Sequence, residues 1–127
     1  MTGTTLLLRQ IHPTFVQNGY ATSQAFNPSE EHGFHLSVYD ADRIAPIASY
    51  AHYTTTWNKK SAGVMAMSVE ECSAYALPCR PDPLDDCPEH CVVDFTSLSS
   101  GQRKSKSKGL QAKAEERGWL FQPPNAQ

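Results

Sequence analysis

Four short apolar segments most strongly constrain how this chain can fold. They cover residues 6–11, 34–39, 63–67 and 90–95. Apolar runs of this length with turn-forming residues at their ends are typical of buried strands, and the apolar and polar alternation at 34–39 is typical of a half-buried strand. A central sheet of about four strands is therefore predicted.

Helical periodicity follows three of these strands. We predict helices over about 41–53, about 68–77 and 99–117, the second opened by a capping box in which Ser68 lies three residues before Glu71. The proline-rich segment 78–88 has no periodicity and is predicted to be an irregular loop. Strands alternating with three helices indicate a small α+β fold.

The 127-residue length fits a single domain. We assign residues 1–122 to that α+β domain and residues 123–127 to a frayed C-terminal tail. No window of eighteen apolar residues occurs, so no membrane partner is expected, and the first residues lack the features of a signal peptide. The expected location is the cytoplasm.

Charge is divided unevenly along the chain. Residues 1–95 carry eleven acidic and five basic groups, a net charge of −6, whereas residues 96–127 carry a net charge of +4. A basic, aromatic C-terminal helix predicts a small cytoplasmic adaptor that binds an acidic protein partner, with a second copy of the chain as an alternative partner. The predicted partner-binding residues are Arg103, Lys106, Lys113, Arg117, Trp119 and Phe121.

A zinc-containing nucleic-acid binder is one alternative function. Basic side chains near aromatic rings suit phosphate contact and base stacking, although the sequence pI of about 6.2 is low for a dedicated nucleic-acid binder. Thiolates and imidazoles are the ligands that zinc prefers, but the cysteines here are not spaced as paired Cys-x-x-Cys motifs. The candidate metal ligands are Cys79, Cys87, His90 and Cys91.

A third set of residues could support catalysis. It comprises Arg9, His12, Ser23, Tyr53 and Glu89. Their order resembles that of small ADP-ribosyltransferases, in which an early Arg or His, a Ser, Thr or Tyr platform and a late Glu bind NAD and transfer its ribose. The resemblance implies NAD as cofactor and implies that Glu89 stabilises a cationic sugar.

Overall fold

The computed structural model describes residues 1–124, in which seven strands form two antiparallel sheets. The strands are β1 (Leu6–Gln10), β2 (Val16–Gln17), β3 (Tyr20–Ala21), β4 (His35–Asp40), β5 (Val64–Ser68), β6 (Cys79–Pro81) and β7 (His90–Asp94). The main sheet has the order β5-β1-β4-β7-β6, and β2 and β3 form a small hairpin. The predicted α+β fold is confirmed, with five strands in the main sheet rather than about four.

The additional strand is β6, which lies in the segment predicted to be a loop. It pairs with β7 alone, with Cys79 opposite Val93 and Pro81 opposite Cys91. A proline has no N–H to donate to a neighbouring strand, but it is tolerated at the edge of a sheet. Segment 78–88 therefore contains an edge strand, stabilised by pairing with β7, that its proline content did not predict.

Three α-helices lie in the described residues. They are α1 (Pro46–Ala51), α2 (Val69–Ala74) and α3 (Ser100–Arg117). The predicted capping box of Ser68 and Glu71 opens α2, and a second one, formed by Ser99 and Gln102, opens α3. Helix α1 begins later than predicted because Ala45 is extended before Pro46, as the residue before a proline prefers to be.

The two faces of the main sheet carry separate apolar clusters. Leu7 belongs to the larger cluster, which packs against α2 and α3, whereas its neighbour Leu8 belongs to the smaller one. The smaller cluster is covered by α1 and by the π-helical turn His52–Thr56 that continues it. Side chains along β1 alternate between these clusters, so the strand is buried on both faces.

The segment after α3 returns to the edge of the sheet. The Val64 N–H donates to the Phe121 carbonyl at 2.8 Å, and the Leu120 N–H donates to the Val64 carbonyl at 2.8 Å. Gly63 permits this close approach, since a Cβ there would lie 2.6 Å from the Phe121 carbonyl oxygen. The predicted tail 123–127 falls partly outside the described residues, and the domain boundary at 122 stays a prediction.

Among residues 1–124, no helix is both long and apolar enough to cross a membrane.

Two glycines of α3 allow a matched test of its packing. A Cβ on Gly109 would lie 2.6 Å from the Tyr75 hydroxyl oxygen, whereas a Cβ on Gly101 would meet nothing within 4 Å. Alanine favours helices by about 1 kcal/mol over glycine, so Gly101→Ala should leave stability unchanged or raise it. Gly109→Ala should instead lower the free energy of unfolding by about 1–3 kcal/mol, since Tyr75 must shift.

Chemical denaturation of both variants and the unsubstituted protein measures this difference. Equal stabilisation by the two alanines would show that Tyr75 does not constrain α3.

Candidate functional site

The main sheet is split between β1 and β4. These strands pair at only two positions, Leu7 opposite Asp40 and Leu8 opposite Tyr39, although β1 pairs with β5 along its full length. Beyond Leu8 the two strands are no longer paired, and the Ser37 carbonyl faces the gap. A donor side chain placed in this gap can form a hydrogen bond with the Ser37 carbonyl.

Arg9 supplies that donor. Its Nε donates to the Ala25 carbonyl at 2.8 Å and its Nη1 donates to the Ser37 carbonyl at 3.0 Å. Among residues 1–124, the guanidinium forms no salt bridge to a carboxylate within 4.0 Å. Burial lowers the pKa of Arg9 from its ordinary value, an effect that the nearby Tyr53 partly offsets. The guanidinium nevertheless stays charged, since arginine does not lose its proton in proteins.

A pocket of about 500 Å³ opens at this gap. That volume lies within the range of about 300–1,000 Å³ that small-molecule sites occupy. Its lining residues with charged or imidazole side chains are Arg9, Lys59, Glu31, His12, His32, His35 and His90. Two cations and one carboxylate give this lining a positive charge even when every histidine is neutral, which favours an anionic ligand.

Trp57 and two tyrosines form an aromatic wall of the pocket. The rings of Trp57 and Tyr39 are stacked with centroids 5.9 Å apart, and Tyr53 meets Trp57 edge-on at 6.2 Å. The wall is held by Asp86, whose Oδ2 accepts from the Trp57 indole at 2.6 Å and whose carbonyl contacts His52 Nε2 at 2.9 Å. These bonds fix the angle at which Trp57 faces the pocket.

The other nitrogen of His52 fixes the Tyr39 hydroxyl. Because the Asp86 carbonyl can only accept, His52 Nε2 donates to it and His52 Nδ1 accepts from the Tyr39 hydroxyl at 2.9 Å. Burial raises the pKa of Tyr39 above its ordinary value, so this hydroxyl keeps its proton. The aromatic wall is therefore anchored at both ends.

Lys59 lies at the rim of this wall. Its Nζ is 5.4 Å from the Trp57 ring centroid and 5.7 Å from the Tyr53 ring centroid. Cation–π contacts of an exposed lysine contribute only about 0.5–1 kcal/mol. The lysine can therefore leave these rings when a ligand approaches.

The pocket histidines differ in their surroundings. His35 is half-buried beside Asp94 and Arg80, and its Nε2 lies 3.1 Å from Arg80 Nη2. Hydrogen bonds from Thr96 and Arg80 lower the pKa of Asp94 to about 2. His90 is only 6% exposed and contacts Ser37 and Asp82 through its two ring nitrogens.

The pocket brings together three of the five residues predicted for catalysis. Arg9, His12 and Tyr53 line it, whereas Ser23 and Glu89 do not. Ser23 begins the 3-10 turn Ser23–Phe26, and the Glu89 carboxylate lies 3.6 Å from the Cys87 thiol. The late glutamate is thus held away from the pocket by the turn that precedes β7.

The predicted zinc ligands do not form a metal site. Within residues 1–124, no three His, Cys, Asp or Glu side chains are grouped closely enough to hold a metal ion. Cys87 packs in the smaller cluster, Cys91 in the larger one, and His90 faces the pocket between its partners Ser37 and Asp82. Successive residues of a strand point to opposite faces, which separates His90 from Cys91.

Most of the predicted partner-binding residues contact their own chain. Arg117 forms a two-pronged ion pair with Glu71, with N–O distances of 3.0 and 3.1 Å. Lys106 donates to the Tyr75 carbonyl. Arg103 lies 3.9 Å above the centroid of the Phe34 ring. These side chains dock α3 onto the body of the protein.

The remaining members of that set are divided between surface and core. Lys113 pairs with Glu116 at 3.8 Å on the surface of α3. The Trp119 indole donates to the Gly19 carbonyl at 3.2 Å, and the Phe121 ring packs against Tyr50. Both rings therefore serve as contacts of the C-terminal segment with the core.

Sequence reasoning missed several pocket residues, above all Ser37, Trp57 and Lys59. One signal for Ser37 was available, because the alternation in 34–39 places His35, Ser37 and Tyr39 on one face of a strand. Three hydrogen-bonding side chains on one strand face indicate a polar surface. Trp57 and Lys59 lie in a segment without periodicity, where no pattern shows which way they face.

No protein-family model, curated protein or solved structure matches this chain.

The cysteines allow a direct test of their environment. A hydrogen bond from Cys72 lowers the pKa of Cys79, whereas burial raises the pKa of Cys91 to about 11 and that of Cys87 to about 12. Because the thiolate is the reactive form, we expect Ellman's reagent to modify Cys79 fastest in the folded protein. Cys79→Ser should remove this fast phase.

The slow thiols should react only when the protein is unfolded in denaturant. A fast phase that persists in Cys79→Ser would contradict the predicted order of reactivity.

Proposed function

We propose that this protein binds a small anionic ligand that carries a planar ring, of the nucleotide class, in the pocket at the gap between β1 and β4. The observation that carries the proposal is the Arg9 guanidinium, which lines the pocket with carbonyl partners and no salt bridge among residues 1–124. Carbonyl oxygens orient a guanidinium but do not neutralise its charge. A phosphate group would do so through the paired N–H donors that arginine offers.

Support for a planar ring comes from the aromatic wall. Trp57 and Tyr53 line the same pocket as Arg9, and Asp86 fixes the Trp57 ring. Stacking of a base on an aromatic side chain contributes about 1–3 kcal/mol and tolerates different bases. A cation and a rigid aromatic surface in one pocket are the two features that a nucleotide needs.

NAD belongs to this ligand class, which keeps the ADP-ribosyltransferase alternative open as a proposal. Support comes from Arg9, His12 and Tyr53, which share the pocket. That chemistry also needs a carboxylate against the sugar, and the pocket lining of residues 1–124 contains one acidic residue, Glu31, rather than Glu89. Binding is therefore proposed ahead of ribosyl transfer.

Isothermal titration calorimetry with ATP, NAD, adenosine and inorganic tripolyphosphate tests the proposal. We expect the nucleotides to bind more tightly than adenosine, which lacks phosphate, and tripolyphosphate, which lacks a ring. Trp57→Leu should weaken nucleotide binding at least about fivefold through lost stacking. Lys59→Gln should weaken it about threefold to tenfold through a lost charge contact.

Lys60→Gln is the matched control, because Lys60 is exposed, carries the same charge and does not line the pocket. Arg9→Lys keeps the charge but loses the two-carbonyl geometry, and should weaken binding about tenfold or more. Failure of every nucleotide to bind the unsubstituted protein would overturn the proposal. Equal losses of nucleotide affinity in Lys59→Gln and Lys60→Gln would show that the nucleotide does not bind in this pocket.

Binding of an acidic protein through α3 stays a separate prediction. Because most of the basic residues predicted for this contact bind their own chain, the prediction is now supported by exposed cations such as Lys104 and Lys108. These two lie four residues apart on one helix face. Combined Lys104→Glu and Lys108→Glu should abolish capture of an acidic partner in a pull-down without lowering the melting temperature. A partner list identical to that of the unsubstituted protein would contradict the adaptor hypothesis.

A further inference from the structure

Ser37, His90 and Asp82 form a chain of hydrogen bonds in the pocket wall. The Ser37 hydroxyl oxygen lies 3.0 Å from His90 Nε2. On the other side of the ring, His90 Nδ1 lies 2.9 Å from the Asp82 carbonyl oxygen and 3.2 Å from Asp82 Oδ2. A hydroxyl, an imidazole and a carboxylate joined in this order are the parts of an activated nucleophile.

The partners of His90 determine which nitrogen carries the proton. Both Asp82 oxygens can only accept, so Nδ1 of a neutral His90 carries the hydrogen and donates to them. Nε2 then presents a lone pair and accepts from the Ser37 hydroxyl. This is the tautomer that a general base needs in order to take a proton from Ser37.

The register of the sheet gives the pair its placement. Tyr39 is opposite His90 in the β4–β7 ladder and Ser37 is opposite Val92, so Ser37 and His90 are diagonal neighbours on one face. Both line the pocket, and Ser37 is exposed whereas His90 is buried. The hydroxyl therefore faces the space that a ligand would occupy, and the base is held behind it.

Arg9 adds a positive charge near Ser37. Its Nη1 donates to the Ser37 backbone carbonyl, which leaves further guanidinium N–H groups to donate to the substrate carbonyl oxygen, on which negative charge develops during the attack. Donors placed in advance where an oxyanion forms are a principal source of catalysis. The split between β1 and β4 thus brings a nucleophile, a base and a cation to one place.

We propose that Ser37 is the nucleophile of an ester-hydrolysing site, with His90 as general base and Asp82 as the residue that positions His90. The substrate class is a carboxylic ester that bears a negatively charged group, a preference that rests on the anion-binding function proposed above. Hydrolysis is an activity beyond ligand binding.

The reaction balances with water as the only co-reactant. The Ser37 oxygen attacks the ester carbon as His90 Nε2 takes its proton, and the bond from carbon to the alcohol oxygen breaks as His90 returns that proton to the leaving alcohol. Water then gives a proton to His90 and attacks the acyl group on Ser37. The Ser37 oxygen leaves and recovers its proton from His90, so the ester and water become an acid and an alcohol.

An alkyl fluorophosphonate tests the nucleophile without requiring the natural substrate. A bond from the Ser37 oxygen to phosphorus forms, the bond from phosphorus to fluorine breaks, fluoride leaves and the proton passes through His90 to solvent. Intact-mass spectrometry of the full chain should show one adduct, and peptide mapping should place it on Ser37. Ser37→Ala should abolish the adduct.

Ser105→Ala is the matched control, because Ser105 is also exposed but does not line the pocket. It should be labelled at the unsubstituted rate. His90→Gln should slow labelling by about 100-fold or more, since general-base catalysis contributes that much. Asp82→Asn should slow it by about tenfold, because the Asp82 carbonyl still holds the tautomer.

Since His90 is buried and its replacement could unfold the protein, the exposed Asp82 provides a second variant, and melting temperatures are measured for each. Labelling elsewhere than Ser37, or no labelling, would overturn Ser37 as the nucleophile. Equal rates for Asp82→Asn and the unsubstituted protein would overturn Asp82 as the residue that positions His90. Calorimetry with ATP on Ser37→Ala separates the two proposals. If Ser37→Ala still binds ATP but the unsubstituted protein is not labelled at Ser37, the hydrolysis proposal fails and the binding function stands.

Discussion

The pocket lies at a gap in the sheet between β1 and β4. Arg9 spans this gap through hydrogen bonds to the carbonyls of Ala25 and Ser37. Hydrogen bonds that involve a charged group contribute about 1.5–3 kcal/mol each, so both bonds stabilise the position of Arg9 in the gap. Arginine suits the position because its planar group donates in several directions at once. The Arg9 side chain thus binds two backbone carbonyls and also leaves its charge uncompensated in the pocket. Stability of the gap between β1 and β4 is therefore coupled to ligand binding.

The pocket is rigid on its aromatic side because a loop, rather than the sheet, anchors it. Asp86 lies in the segment between β6 and β7, and it binds the Trp57 indole through its carboxylate and His52 through its carbonyl. His52 in turn holds the Tyr39 hydroxyl on β4. A preformed stacking surface lowers the entropy that binding must overcome. Asp82 precedes Asp86 by four residues and contacts His90, so the same loop positions both the rings and the imidazole.

The strands at 6–11, 34–39, 63–67 and 90–95 could be predicted because each has a local apolar pattern, and the capping box at Ser68 could be read from residue types alone. Strand β6 could not, because its stability comes from pairing with β7 rather than from its own residues. The hydrogen-bonded chain from Ser37 through His90 to Asp82 could not be predicted for a related reason. It depends on the register between β4 and β7, a long-range property that no local pattern contains. His90 was consequently interpreted as a metal ligand beside Cys91, although the two side chains point to opposite faces.

Charge distribution along the chain indicated an anion-binding surface, but individual pairings decide where such a surface lies. Arg117 comes from the basic segment, yet its ion pair with Glu71 cancels its charge locally. Arg9 comes from the acidic segment, yet its carbonyl partners leave its charge in place. A carbonyl is a dipole, whereas a carboxylate carries a full charge. Only a carboxylate partner therefore cancels the positive potential by which an arginine attracts an anion. A segment of net charge −6 can therefore contain the site that attracts an anion, while a segment of net charge +4 uses much of its charge to hold a helix in place.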